Sequence, residues 1–225
     1  YLAVEADRAH PRAVLATLLW PDYGDSDAMR NLRQSLYRLR LALDGCSPDL
    51  FGQTIEVTRQ SVTLHSAAVD VDLRHFEEDL DLAAAHGHVA LSGCSSCLGR
   101  VERAADRYIG EFLAGFHVEE ADPFVEWQTI QRERTHQRAL AALQDLSSAY
   151  GARGDYARMR DFAARQVTLE PWREEAHQQL MQALALDGRR SEALAQYERC
   201  CEILVRELGV EPSAETTELY QSIRS

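Results

Sequence analysis

The chain has 225 residues, 45% hydrophobic and 27% charged, the composition of a soluble globular protein with room for one large or two small domains. No apolar run approaches the ~20 residues that span a bilayer, and no basic segment followed by an apolar one reads as a secretory leader. The net charge of −12 argues against non-specific coating of nucleic acid.

The opening Tyr1-Leu2-Ala3-Val4 reads as the inside of a helix, so the chain is expected to be a fragment that starts partway through one. Residues 11–20 predict a short helix with Pro11 at its first position, where a missing N–H costs nothing, and with Trp20-Pro21 as its end. After the polar turn Asp22–Asp27, Asp25 or Ser26 can cap a helix over 27–44. Its apolar stripe is Met29, Leu32, Leu36, Leu39 and Leu43, and Gly45 is its expected stop. Gln53–Thr58 and Ser61–His65 alternate and are rich in Thr, Val and Ile, which predicts a β-hairpin turning at Arg59-Gln60. Helix, turn, helix, hairpin is the order of the back half of a winged helix.

Asp72 can cap a helix over 73–86, and another is expected over about 97–109. A Gly-punctuated apolar loop, Gly110-Glu-Phe-Leu-Ala-Gly-Phe116, follows. From Asp122-Pro123 onward the chain is predicted all helical: one long helix toward Gly151, then helices at about 155–169, 173–187 and 190–208. A last helix opens at Pro212-Ser213 and runs to about 224. Leu146, Tyr150, Gly154 and Ala163 recur 34 residues later as Leu180, Leu184, Gly188 and Tyr197. That is the tetratricopeptide period, a helix–turn–helix unit whose copies stack into partner-binding scaffolds. Leu143, Leu146 and Tyr150 should bury against Phe162, and Trp172 is expected to be a packing anchor. The predicted architecture is mainly α. A truncated winged helix with a β-hairpin wing (1–72) precedes a helical tetratricopeptide-like repeat domain (73–225), with repeats at about 140–173 and 174–208.

Two passages carry a specific resemblance. One is Leu19-Trp20-Pro21-Asp22 with Asn31-Leu-Arg-Gln-Ser-Leu-Tyr-Arg-Leu-Arg40. The other runs from Gly110–Phe116 through Glu170-Pro-Trp-Arg-Glu-Glu-Ala-His177 to Glu207-Leu-Gly-Val-Glu-Pro-Ser213. Over nearly its whole length the chain resembles bacterial transcriptional activators of the SARP/AfsR type. Those proteins join an OmpR-type winged helix to a bacterial transcriptional activator domain built on tetratricopeptide-like repeats. The family's winged helix begins with a small sheet and a complete first helix, of which only the tail, Tyr1–Ala6, is expected here. The resemblance implies double-stranded DNA as a partner, contact with RNA polymerase or its sigma factor, or a second protomer on repeated half-sites.

Charge is unevenly spread. Residues 1–75 are net −2 and the remainder −10, yet 28–43 hold four arginines and no acid, and all 24 basic residues of the chain are arginine. On a helix centred on Leu36, the far face carries Arg30, Asn31, Gln34, Arg38 and Leu41, with Tyr37 beside them. Arg can bridge guanine O6/N7, and Asn or Gln can pair with adenine N6/N7. Arg33 and Arg40 flank this face, where phosphates would lie, and Arg59 sits at the hairpin tip like a wing residue. Any solvated helix face is polar, so the helix alone leaves both readings open. The preceding helix, the hairpin and the resemblance favour DNA contact.

Five cysteines, two of them adjacent at Cys200-Cys201, make no disulfide framework and point to a reducing cytoplasm. His86-x-His88-x5-Cys94-x2-Cys97 places two imidazoles and two thiolates within twelve residues. Cys-x2-Cys is a zinc-knuckle spacing, so a structural zinc is the candidate cofactor. A Gly/Ser loop with unrelated His and Cys fits the same pattern. No P-loop, Gly-x-Gly-x-x-Gly, Gly-x-Ser-x-Gly or His-Glu-x-x-His occurs, which points away from an enzyme. The leading expectation is a sequence-specific DNA-binding regulator, an activator, with helix 27–44 in the major groove. The alternative is an interaction module controlling an attached ATPase or other effector domain.

Overall fold

A computed structural model describes residues 1–87 and 89–225. The chain forms two compact units that interleave along the sequence: Tyr1–His75 with Gly110–Thr135, and Phe76–Ile109 with His136–Ser225.

In the first unit, α1 (Arg12–Leu19) and α2 (Asp25–Cys46) make the helix–turn–helix. A short helix α3 (Leu50–Thr54) follows, then strands β2 (Ile55–Val57) and β3 (Ser61–Leu64). A two-residue strand β1 (His10–Pro11) pairs antiparallel with β3, giving the sheet order β1-β3-β2. Alternation puts Val62 and Leu64 of β3 inward. They join Leu15, Ala16, Ala28, Leu32, Phe51 and Ile55 in one apolar core. This is the helix–turn–helix and wing of a winged helix.

Several local expectations need correction. Pro11 ends a strand and is the N-cap of α1, with an extended ψ of 134°, so the helix starts one residue later. Pairing of His10 and Pro11 with Val62 and Ser61 outweighs the helix-start preference of proline. Gly24 caps α2, so Asp25 and Asp27 fall in its first turn, where negative charge suits the helix dipole. Gly45 does not stop α2: the helix runs through it to Cys46 and ends at the extended Ser47. Gln53 and Thr54 are helical, because the Asp44 carboxylate accepts from the Phe51 N–H and fixes the start of α3. Tyr1–Asp7 make turns with one i→i+4 bond, Glu5 N–H to the Tyr1 carbonyl, and no helix.

Gly110–Thr135 completes this unit through aromatic contact. Trp127 receives Tyr1, Phe112 and Phe124 at ring-centre distances of 5.1, 5.8 and 5.4 Å. The Gly-punctuated loop is held by its carbonyls: Arg132 donates to those of Phe112 and Leu113, each at 2.8 Å, and Gln128 to that of Phe116 at 3.0 Å. Gly115 and Leu113 both adopt positive φ to turn those carbonyls.

The second unit contains α4 (Asp72–Ala85) from Phe76 onward, α5 (Ser95–Arg107), and α6 (Asp122–Ala152) from His136 onward. It continues with α7 (Tyr156–Leu169), α8 (Glu174–Leu186), α9 (Arg190–Leu208) and α10 (Ala214–Arg224). Leu143 and Leu146 are buried, and Tyr150 stacks on Phe162 at 5.7 Å. The 34-residue repeat appears in the backbone too. Gly154 and Gly188 share φ +76°, and each follows the same bond, Asp155 N–H to Tyr150 carbonyl and Arg189 N–H to Leu184 carbonyl. Asp155 and Ser213 cap α7 and α10 through their side chains.

One carboxylate organises the α4–α5 pair. Asp79 has a side chain only 10% exposed, and it accepts from Arg103 at 2.8 Å, Arg107 at 2.9 Å and Arg100 at 3.5 Å. Burial opposes its charge, but the hydrogen bonds and charges of Arg103 and Arg107 prevail and hold its carboxyl below the ordinary range.

The Glu170–His177 stretch is a hydrogen-bonding hub. His177 is fully buried, 2.8 Å from the Pro171 carbonyl through Nε2 and 2.7 Å from Gln196 Nε2 through Nδ1. Those partners assign a neutral ring, donating from Nε2 and accepting at Nδ1. Glu174 accepts from the Ser213 N–H at 2.8 Å and the Thr216 hydroxyl at 2.5 Å, tying α10 to α8. Trp172, expected as a packing anchor, is 47% exposed; His177 fills the buried position of this motif. Among the described residues no helix is long and apolar enough to cross a membrane.

Candidate nucleic-acid interface

Helix α2 turns one stripe inward: Ala28 and Leu32 are buried, and Met29, Leu36 and Leu43 pack against the core. Its opposite face is bare. Arg30, Gln34, Tyr37, Arg38 and Leu41 are exposed, and Asn31 is half-buried at the edge. Tyr37 and Leu41 stand 61% and 56% exposed, high for side chains with so much apolar surface.

The cations of α2 differ in how tightly they are held. Arg30 pairs with Asp27 one turn earlier. The Arg33 Nε–H donates to the Met29 carbonyl at 3.2 Å. Arg40 lies 3.4 Å from Asp44 and over the Phe51 ring at 5.5 Å. Among the described residues the side chains of Gln34, Arg38 and Arg59 make no hydrogen bond or ion pair, so their polar groups face solvent.

Arg59 projects from a defined turn. The Thr58 hydroxyl accepts from the N–H groups of Gln60 and Ser61 at 3.1 and 2.9 Å, and the Thr58 N–H donates to the Ser61 carbonyl. Arg12, at the start of α1, donates its guanidinium to the Thr58 carbonyl at 3.2 Å and its backbone N–H to that of Gln60 at 2.8 Å. The tip is thereby anchored to the helix–turn–helix. Sequence reasoning missed Arg12; its signal, a cation one residue past Pro11, is visible only once β1 is known to pair with β3.

The proposed metal ligands lie in the second unit. His86 follows α4, Cys94 is the N-cap of α5, and Cys97 sits in its first turn. Their ligand atoms all lie within 4.8 Å of one another. His88, the fourth member of the predicted set, lies outside the described residues.

Comparison with known proteins agrees with this architecture. The bacterial transcriptional activator domain family matches residues 71–224. Regulatory protein AfsR of Streptomyces coelicolor is 28% identical over 224 residues, and AfsR of Streptomyces griseus is 26% identical over 226. Each alignment covers 99% of this chain and 21% of the relative, so the chain spans about a fifth of their length. Among solved structures, Mycobacterium tuberculosis EmbR, in complex with a low affinity phosphopeptide, superposes with a TM-score of 0.66 at 21% identity. It covers 99% of this chain and 57% of EmbR, a likeness of fold. With its match over residues 71–224, the chain belongs to the bacterial transcriptional activator domain family, the family implied by its resemblance to SARP/AfsR-type regulators.

Proposed function

We propose that this chain is the DNA-reading and protein-binding part of a transcriptional regulator, an activator. Helix α2 lies in the major groove, with Arg30, Asn31, Gln34, Tyr37, Arg38 and Leu41 toward the base edges. Arg33 contacts phosphate beside them, and Arg59 reaches phosphate or the adjacent minor groove. The observation that carries this reading is the exposed face of α2, which holds four arginines and no acid between residues 28 and 43, backed by a helix–turn–helix and flanked by an anchored arginine-tipped hairpin. The acidic repeat unit suits protein partners with basic faces, and RNA polymerase or its sigma factor is the partner proposed, with a second protomer on repeated half-sites.

Selection by this chain from a random duplex library, followed by fluorescence polarisation, tests the reading. A motif should emerge, and affinity should fall steeply with salt, with a slope of about −0.9 per phosphate neutralised. Arg38→Ala should cost about 1–3 kcal/mol and relax preference at one position, whereas Arg59→Ala should weaken all sequences alike. Unchanged affinity and preference in Arg38→Ala would remove that residue from the reading face. Selection of no motif would favour the interaction module controlling an attached effector domain.

A further inference from the structure

The loop between α4 and α5 gathers three soft ligand groups that the DNA-reading surface does not use. His86 Nδ1 lies 3.0 Å from Cys97 Sγ and 3.5 Å from Cys94 Sγ, and all three atoms fall within 4.8 Å. A tetrahedral zinc with Zn–N of about 2.0–2.1 Å and Zn–S of about 2.3 Å separates its ligand atoms by roughly 3.5–3.8 Å. Small movements of the trio therefore admit one ion. No other cluster of three or more His, Cys, Asp or Glu residues at such spacing occurs among the described residues.

The backbone around the trio is preformed. Leu91–Gly93 make a tight turn in which the Gly93 and Cys94 N–H groups donate to the Ala90 and Leu91 carbonyls, each at 3.1 Å. Cys94 and Cys97 stand at the start of α5, three residues apart. Cys97 is buried in the core and Cys94 packs against it, so neither thiol is a floating loop residue. Arg153, from the end of α6, donates to the Ser92 carbonyl at 2.7 Å and fastens the turn from outside.

We propose that His86, Cys94 and Cys97 bind a structural zinc ion that closes the loop between α4 and α5. The chemistry selects the metal: two thiolates and an imidazole suit zinc and discriminate against magnesium or calcium. The fourth position falls to a ligand outside this trio. The ion draws the end of α4 to the start of α5.

The test is metal content and cobalt spectroscopy on the whole 225-residue chain, purified under reductant. One zinc per chain is expected. Cobalt exchanged into the site should show the intense ligand-field bands of tetrahedral coordination with thiolate charge transfer. Cys94→Ser should lower zinc affinity by more than the ~10–100-fold cost of losing an outer-shell partner, and Cys46→Ser, remote in sequence, should leave it unchanged. Cys94 is half-exposed, so its serine variant keeps the test open even if Cys97→Ser fails to fold. Substoichiometric zinc with the spectrum of hexaaqua cobalt would overturn the proposal. So would uptake unchanged by Cys94→Ser, or recovery of a Cys94–Cys97 disulfide in place of metal under reductant.

Discussion

Replacing Asp79 with alanine should unfasten α4 from α5. Two short charge-assisted hydrogen bonds, from Arg103 and Arg107, are lost. Each such bond contributes about 1.5–3 kcal/mol when well shielded. Arg103 is half exposed, so solvent screening takes away part of that. Against this discount, Arg100, Arg103 and Arg107 lie at helical spacing on one face of α5 and repel once their shared anion is gone, at about 0.2–0.5 kcal/mol per pair. The sum is roughly 3 kcal/mol, which for a chain of this size lowers the melting temperature by about 6–12 °C. Asp79→Asn, which keeps the volume and one acceptor, should lose less. The pH dependence has a definite sign. Because the folded carboxyl is held below its ordinary value, its contribution is fully present above about pH 4 and disappears as pH falls through the folded value. Urea denaturation at pH 7, followed by circular dichroism, measures the effect. A loss below about 0.5 kcal/mol, the range of an ordinary surface change, would refute the reasoning.

Other outcomes follow from the repeat unit. Burial pushes the His177 ring down, with Arg199 adding to it and the Pro171 carbonyl and Glu174 opposing. The neutral ring therefore stabilises the fold above about pH 6.5, and stability drains away as pH falls below that, by up to about 1.4 kcal/mol per pH unit. NMR titration of the His177 ring with a midpoint at or above 6.5 would contradict this. Leu146→Ala, at a fully buried site in the repeat core, should cost about 2–5 kcal/mol by urea titration. A cost under 1 kcal/mol would mean that its surroundings collapse into the space.

What the sequence showed and what it hid divide along one physical line. Periodic features were legible. The face of α2, the long α6 and the Gly154/Gly188 turns all follow from spacing within one element, and α2 differs from its expected span by two residues at each end. Features decided by partners far along the chain were not. The strand at His10–Pro11 exists because β3 is there to receive it, and α2 passes Gly45 because Asp44 has Phe51 to cap. Asp79 looked like one acid among several on α4. Its importance comes from three arginines of α5 whose 3/4 spacing was in the sequence but whose target was not. At the candidate interface Arg30, Gln34, Tyr37, Arg38 and Leu41 are exposed, and Asn31 is only half clear of the core. The anchoring of Arg59 through Arg12 was invisible without the sheet.

The cationic face of α2 is built from arginine alone, in a chain without a single lysine. Arginine as a residue type carries a charge that proteins do not remove by deprotonation. Nor can it be erased by lysine acylation, the usual covalent means of neutralising a basic surface, since no side-chain amine exists to modify. Its field can be altered by bringing anions beside it. Ser26 and Ser35, both exposed on α2, are hydroxyls where a phosphoryl group would do so.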